Sequence, residues 1–417
     1  MPFQSLGLSP ALARAAADMA FAEPTPIQRE AIPPILRGAD LLARAQTGSG
    51  KTAAFVLPLL QTLDAAPTSA GRRVQALVLA PTRELAAQIG ETLRGLARHL
   101  ERTPRIAVVF GGVSINPQML RLRGGADIVV ATPGRLLDLV EHNALRLSHV
   151  GTLVLDEADR LLDLGFADEL ARVLALLPAR RQNLLFSATF PPAVEKLAHE
   201  LLSDPVHITI EAPAVADLLV QQRAIAVDTH QRAPLLRHML RHAGWSRVLV
   251  FVATQHATEH LSTKLRSHGI MAAPLHGQLS QGARSQALAD FKAGRLQVLV
   301  ATDIAARGID IAQLPVVLNF DLPRSPVDYT HRIGRTARAG HGGLAVSFVS
   351  ADTEAHFTLI EKRQGLSLPR EQIAGFEPTE VAATPAKVLV DGNGGIKGKR
   401  PSKKDKLRAA TAAHKVP

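Results

Sequence analysis

The chain has 417 residues, a length that predicts two or three domains. Because 46% of the residues are hydrophobic and only 4% aromatic, the cores of these domains should be aliphatic. It contains no cysteine, which excludes disulfides and cysteine-ligated metal sites. Of the net charge of +11, residues 391–417 carry +6, with eight Lys/Arg against two Asp, and this favours a polyanionic partner over a tail that only adds solubility.

Targeting and membrane segments are not expected. Residues 1–5 lack the basic start and apolar run of a signal peptide. No apolar run approaches the roughly 20 residues that a membrane helix needs. We therefore expect a cytoplasmic protein without a membrane partner.

The first part of the chain alternates apolar strands with helical patterns, which predicts a parallel sheet with right-handed crossovers. Predicted strands lie at 40–43, 74–80, 105–110, 127–131, 151–157 and 183–187, and predicted helices include 84–99 and 192–202. We assign residues 1–207 to this first lobe.

A second series of the same kind follows. Its predicted strands lie at 224–227, 247–252, 297–301, 316–320 and 345–349, and its predicted helices at 231–242, 256–268 and 281–293. This alternation of strands and helices predicts a second α/β lobe at 223–375, joined to the first by a linker at 208–222. The pattern fades afterwards, so we predict a disordered basic tail at 376–417.

A glycine-rich segment lies between the strand at 40–43 and a helical pattern at 52–63. Its backbone N–H groups can turn inward around phosphates at a helix N-terminus. Lys51 would then place its charge on those phosphates, and Thr52 its hydroxyl on Mg²⁺. The predicted ATP-binding residues are Thr47, Gly48, Ser49, Gly50, Lys51 and Thr52.

Two carboxylates follow the apolar residues 152–155. Asp156 and Glu157 would emerge at the end of a buried strand, where carboxylates are costly unless a cation meets them. Asp156 is predicted to hold Mg²⁺, and Glu157 to position or deprotonate the attacking water. Together with the glycine-rich segment, this pair predicts a P-loop ATPase.

Residues 21–28, with the sequence FAEPTPIQ, resemble the Q motif of the DEAD-box RNA helicases, and Phe3 matches the family's upstream aromatic position. The resemblance covers about residues 3–370. It implies that Phe3, Phe21 and Gln28 belong to the nucleotide site. Because an amide can meet both N6 and N7 of adenine, Gln28 would select ATP over GTP.

Further segments resemble the family's other motifs, in order along the chain. The implied RNA-binding residues are Pro81, Thr82, Arg83, Gly112, Thr132, Pro133 and Arg135 in the first lobe, and Thr254 and Thr302 in the second. Asp310 is implied to contact the ATP ribose. Ser187 and Thr189 are implied to couple hydrolysis to strand separation, and His331 to form a hydrogen bond between the lobes.

The segment 331–338, HRIGRTAR, resembles the family's arginine-finger motif, with Arg335 and Arg338 as the fingers. The predicted catalytic set therefore joins Lys51, Asp156 and Glu157 of one lobe to two arginines of the other. Such a site is complete only when the lobes close, so closure would act as the catalytic switch.

The resemblance implies two tandem RecA-like lobes, ATP and Mg²⁺ as cofactors, and RNA bound through its backbone without sequence preference. Residues 3–10 and the short basic tail are similar to the bacterial RhlE-like group. Ribosomal precursors or RNA-decay proteins are the expected wider partners. Three other functions stay open: an ATP-gated RNA clamp with slow turnover, a P-loop ATPase unconnected to nucleic acid, and a DNA helicase.

Overall fold

The computed structural model describes residues 2–46, 48–65, 73–210, 220–306, 314–336 and 342–380. Two parallel seven-stranded sheets organise this part of the chain. We refer to the first sheet and its helices as lobe 1, and to the second as lobe 2.

Lobe 1 has the strand order β3-β4-β2-β5-β6-β1-β7. Its strands are β1 (Leu41–Arg44), β2 (Ala76–Leu79), β3 (Ile106–Val109), β4 (Ile128–Ala131), β5 (Thr152–Leu155), β6 (Gln182–Ser187) and β7 (Val206–Thr209). Its described helices are α1 (Pro10–Asp18), α2 (Pro26–Leu36), α3 (Lys51–Asp64), α4 (Arg83–Leu96), α5 (Asn116–Leu122), α6 (Pro133–Glu141), α7 (Ala158–Asp163), α8 (Ala167–Ala175) and α9 (Pro192–Leu201).

Lobe 2 repeats the architecture with the order β10-β11-β9-β12-β13-β8-β14. Its strands are β8 (Val220–Ala226), β9 (Val248–Phe251), β10 (Ala272–Leu275), β11 (Val298–Ala301), β12 (Val316–Asn319), β13 (Gly343–Val349) and β14 (Arg370–Glu371). Its described helices are α10 (Arg232–His242), α11 (Gln255–Arg266), α12 (Gln281–Lys292), α13 (Asp303–Ala306), α14 (Pro326–Ile333) and α15 (Glu354–Gln364).

Both sheets are buried on their two faces, which explains their continuous apolar strands. Along β4, Ile128 and Val130 face one apolar cluster, and Val129 and Ala131 face the other. The strands of lobe 2 alternate in the same way between the clusters on either side of its sheet. Because successive side chains of a strand point to opposite faces, this burial leaves only the strand ends free to carry polar chemistry.

The strand ends differ from the sequence-based boundaries. β7 pairs with β1 and extends to Thr209, and β8 begins at Val220, so both ends of the linker predicted at 208–222 are strand. Residues 211–219 lie outside the described part of the chain. The sequence also missed β10, a four-residue edge strand that contains Pro274, because proline weakens a strand pattern.

The predicted start of the tail at residue 376 is wrong. The Phe376 ring packs into the apolar cluster beneath α10 and α11. The backbone N–H groups of Thr379 and Glu380 donate to the buried Asp228 carboxylate at 2.9–3.0 Å. One aromatic ring and two backbone donors leave no periodic pattern in a sequence, so the sequence does not predict this ordered segment. Residues 381–417 lie outside the described part of the chain.

Candidate functional site

The glycine-rich loop joins the end of β1 to the start of α3. Gly48 and Gly50 adopt positive φ angles of 81° and 99°, which favour glycine. A Cβ atom on Gly50 would lie 2.6 Å from Nε2 of Gln28, so the loop is also too tight there for a side chain. Lys51 is 6% exposed, and its Nζ donates to the carbonyl oxygen of Ala45 at 2.9 Å. The ammonium is therefore held inside the loop whose N–H groups would meet the phosphates.

The two predicted catalytic carboxylates lie at the end of β5, beside this loop. Asp156 is 2% exposed, and burial raises its pKa to about 7, while the nearby Lys51 ammonium opposes the rise. A buried carboxyl with a raised pKa favours a second positive charge beside it, so Asp156 fits a Mg²⁺ ligand. Glu157 is 7% exposed with φ 50° and ψ 55°, a conformation that costs a non-glycine residue about 1–3 kcal/mol.

We expect Asp156→Asn to stabilise the nucleotide-free protein at high pH. The folded pKa of about 7 exceeds the unfolded value near 3.8, so the folded state holds an extra proton between these values. The free energy of unfolding of the wild type therefore falls as pH rises from about 4 to about 7, whereas the Asn variant lacks this term. Thermal melting should show a larger gain in Tm at pH 8.5 than at pH 4.5. A gain that does not depend on pH would contradict the buried-acid assignment.

Gln28 connects the Q-motif helix to the glycine-rich loop. Its Oε1 accepts from the backbone N–H of Thr25 at 2.9 Å, which forms a capping box on α2, and its Nε2 donates to the carbonyl oxygen of Gly50 at 3.1 Å. The amide keeps one further N–H and one further lone pair for a base.

The two aromatic residues predicted for the nucleotide site differ in exposure. Phe21 is partly exposed, but Phe3 is 4% exposed and lies within the core of lobe 1.

We predict that Gln28→Ala and Gln28→Glu both lower ATP affinity, by roughly 1–3 kcal/mol for the polar groups left unpaired. A glutamate keeps the capping acceptor on α2 but cannot donate to Gly50, so Gln28→Glu separates base recognition from helix capping. Nucleotide binding and melting temperature should be measured together. Equal use of GTP and ATP by the wild type would remove Gln28 from base selection.

The predicted coupling residues are bonded to the acidic segment. The Ser187 hydroxyl accepts from the backbone N–H of Asp159 at 3.2 Å and donates to the carbonyl of Thr189 at 2.7 Å. The hydroxyl and backbone N–H of Thr189 both donate to Oδ2 of Asp159, at 2.7 and 3.0 Å. Asp159, to which the sequence assigned no role, therefore joins the acidic segment to the segment of Ser187 and Thr189.

Polar contacts bridge the two lobes. Arg160 of α7 is 6% exposed, contacts Nδ1 of His331 and lies 3.6 Å from the Asp328 carboxylate, both on α14. Glu84 of α4 forms an ion pair of 2.8 Å with Arg284 of α12. Neither pair of partners could be predicted from the sequence, because residues on separate lobes leave no local pattern. The Glu84–Arg284 pair lies next to the predicted RNA-binding residue Arg83.

The finger segment is held to the sheet of lobe 2 by Arg332. Its guanidinium makes two bonds to the Asp303 carboxylate, at 2.6 and 2.8 Å, and donates to Oδ1 of Asn319 at 3.0 Å. Arg335 follows the end of α14, and its carbonyl oxygen accepts from the backbone N–H of Leu314 at 3.1 Å. Arg338, Asp310 and Thr47 lie outside the described residues, so the structure does not place them.

The predicted RNA-binding residues lie beyond the carboxyl ends of strands in both lobes. Thr82, Thr132 and Gly112 follow β2, β4 and β3, and Thr254 and Thr302 follow β9 and β11. These ends share one edge of each sheet, since all the strands are parallel. Pro81 precedes Thr82, and Pro133 begins α6 directly after Thr132.

Several of these residues also have structural contacts. The Thr82 and Thr254 hydroxyls accept from backbone N–H groups at the starts of α4 and α11, so each caps a helix. Arg135 is 7% exposed and donates to the carbonyl of Val113 at 2.7 Å, which holds the loop that carries Gly112. Arg83 packs so closely on Gly112 that a Cβ atom there would overlap its guanidinium. Any side chain at Gly112 would therefore displace Arg83.

Comparison with known proteins identifies the family. Residues 25–197 match the DEAD/DEAH box helicase family and residues 231–340 the helicase conserved C-terminal domain. The chain is 42% identical over 360 residues, which are 86% of it and 67% of the relative, to the DEAD-box ATP-dependent RNA helicase CshA of Bacillus cereus. The chain belongs to the DEAD-box ATP-dependent RNA helicases.

Other relatives of this helicase extend the comparison. It is 42% identical to the ATP-dependent rRNA helicase rrp3 of Emericella nidulans over 89% of its own length and 79% of the relative's. The structure of S. cerevisiae Dbp5 bound to RNA and ADP BeF3 matches with a TM-score of 0.78 and 32% identity, covering 89% of this chain and 95% of that one. The tandem RecA-like fold is thereby confirmed, whereas the RhlE-like affiliation stays a prediction.

The helicase hydrolyses ATP, as its family does. In the described part of the chain, no helix combines the length and the apolar character that crossing a membrane requires.

Proposed function

We propose that this helicase separates short RNA duplexes locally, by closing its lobes on ATP and one RNA strand. The proposal is supported by the positions of the residues predicted to bind ATP and RNA. Among the described residues predicted to bind ATP, those of the glycine-rich loop and the start of α3 follow the carboxyl end of β1. The described residues predicted to bind RNA follow the carboxyl ends of strands in both sheets. Buried pairs such as Glu84–Arg284 join the lobes. A strand bent across these edges would be incompatible with a duplex partner.

Each lobe supplies part of the chemistry in this proposal. Lys51 binds the transferring phosphates, Glu157 orients the attacking water and accepts its proton, and Arg335 and Arg338 neutralise charge from lobe 2. Mg²⁺, held by Asp156 and Thr52, would supply further neutralisation of the phosphate oxygens. Asp159 would carry the state of this site to Ser187 and Thr189, and hence to the edge where RNA binds.

The ATPase rate with and without RNA tests this function, with a DNA strand of the same sequence as the control. We expect RNA to stimulate hydrolysis and DNA to fail. Equal stimulation by both strands would favour a DNA-active helicase, and no stimulation would disconnect the ATPase from nucleic acid.

We further propose action in the cytoplasm on ribosomal precursors or with RNA-decay proteins. The similarity to an rRNA helicase supports the first partner.

The basic segment at 391–417 should hold RNA near the lobes. Each phosphate that it neutralises on a single strand adds about 0.7 to the slope of log affinity against log salt. Deleting it should therefore flatten that slope and weaken RNA binding most at low salt. At saturating RNA the kcat of ATP hydrolysis should not change, because the predicted catalytic residues precede position 340. An unchanged slope would leave the segment a solubility tail.

A further inference from the structure

The positive charge of the folded lobes is concentrated in one segment of lobe 2. Residues 229–289 contain seven Lys/Arg, seven His and a single acidic residue, Glu259. Residues 1–380 as a whole contain 39 Lys/Arg against 35 Asp/Glu, a net charge of +4. The net charge of residues 229–289, +6, therefore exceeds that of residues 1–380, and the rest of residues 1–380 is slightly acidic.

The fold places most of these charges on two neighbouring helices, α10 and α11. Both pack on the same face of the lobe 2 sheet, through Leu235 and Leu236 of α10 and Leu261 and Leu265 of α11. Each begins after the carboxyl end of a strand, β8 or β9, and runs back towards the amino edge of the sheet. Near that edge, Nη2 of Arg241 donates to the carbonyl oxygen of His268 at 3.0 Å, which joins the ends of the two helices.

Within the part of the chain that the structure describes, most of these cations have no anionic partner. Arg232 pairs with Asp321 at 2.9 Å, and Arg284 pairs with Glu84. Among the described residues, no carboxylate forms an ion pair with the other five Lys/Arg of the segment. These five are Arg237, Arg241, Arg247, Lys264 and Arg266. Like charges left on one face repel one another, so the face favours a polyanion.

The two helices that carry the basic face begin at the edge where RNA is predicted to bind. Arg232, at the start of α10, donates to Oδ1 of Asp321 at 2.9 Å. Oδ2 of the same carboxylate accepts from the backbone N–H of Ala253 at 2.8 Å. Ala253 directly precedes Thr254, which caps α11. The start of each helix is thus tied to the loop that carries a predicted RNA contact.

We propose that the basic face, defined as Arg237, Arg241, His242, Lys264, Arg266 and His268, binds the phosphate backbone of RNA that continues beyond Thr254. The inference rests on the proposed RNA function and extends it to RNA outside the cleft. α11 has 12 residues and is therefore about 18 Å long, enough for several phosphates. Trp245, the chain's sole tryptophan, packs against the core under α10, so the contact would be electrostatic and without base preference.

This contact should appear only with RNA long enough to leave the cleft. We would compare a strand of about 10 nucleotides, within the usual range for one binding site, with one of about 30. The test variant is Arg241→Gln/Arg266→Gln, which removes two exposed charges from the face. The matched control is Lys362→Gln/Arg363→Gln, which removes two exposed charges from α15, on the opposite face of the same sheet. Both proteins keep residues 381–417, so any contribution of that segment cancels.

For the long strand, the test variant should lower the slope of log affinity against log salt by about 1.4, if two phosphate contacts are lost. Its affinity for the short strand and its RNA-stimulated kcat should equal those of the wild type. The control should match the wild type on both strands. A test variant that behaves like the control on the long strand would overturn the inference, and an acidic protein surface would then be the better ligand.

Crosslinking gives a second readout that does not depend on the variants' stability. A photoreactive base placed outside the cleft on the long strand should crosslink the wild type within residues 232–268. Crosslinks confined to other peptides would equally overturn the inference. Failure of the proposed function would look different, because RNA would then not stimulate ATP hydrolysis by the wild type at all.

Discussion

Glu157→Gln is expected to stop ATP turnover while the protein still binds ATP and RNA. The Glu157 carboxylate is proposed to orient the attacking water and accept its proton. Removal of such a general base typically lowers the rate by about 10²–10⁴. Glutamine has nearly the same shape, so the buried position and left-handed backbone of residue 157 should persist. The variant should remain on RNA once ATP has bound, since release would require hydrolysis.

Lys51→Ala serves as the contrasting variant. Because the ammonium neutralises phosphates in both the ground state and the transition state, its loss should weaken nucleotide binding and hydrolysis together. Nucleotide affinity, single-turnover hydrolysis and RNA dissociation in the presence of ATP should be measured for both variants, with melting temperatures to verify folding. Hydrolysis by Glu157→Gln at the wild-type rate would show that another group handles the water.

Arg335→Ala should lower kcat by about 10³–10⁵, the range known for arginine fingers, with little change in ATP affinity. The residue lies on lobe 2, so it would act on the phosphates only after closure. A transition-state analogue with RNA should compact the wild type in small-angle scattering but not the variant. Arg338→Ala is expected to behave similarly.

Arg363→Ala provides the matched control for Arg335→Ala. It removes an equal charge from an exposed position of α15. It should leave kcat and compaction unchanged. Arg332→Ala should instead destabilise lobe 2, because it would leave the Asp303 carboxylate without its two bonds from the guanidinium. If Arg335→Ala compacted as fully as the wild type, Arg335 would lie outside the site between the lobes.

Elements with strong local patterns could be predicted from the sequence. The buried strands around Val130 and Val300 are continuous apolar runs, and the loop before Lys51 has glycines where positive φ angles are needed. Both features depend on neighbours within a few residues. For the same reason, the sequence correctly placed the acidic pair at the end of β5.

Contacts between distant residues could not be predicted in this way. Arg160 and His331 are 171 positions apart, and neither residue alone predicts the other. The sequence around Asp228 does not indicate that its carboxylate binds residues 379–380, because these lie next to it only in the folded chain. The basic face likewise depends on the strand order. The connections from β8 to β9 and from β9 to β10 run in the same direction along the sheet, so α10 and α11 lie on the same face.

Strand displacement on a short RNA duplex distinguishes local unwinding from ATP-gated clamping. The wild type, given ATP, should release the strand of a duplex of roughly one helical turn, about 10 base pairs. It should repeat this over many turnovers, whereas Glu157→Gln should not. A wild type that hydrolyses ATP in response to RNA but releases no strand would exclude local unwinding and make the protein an ATP-gated RNA clamp.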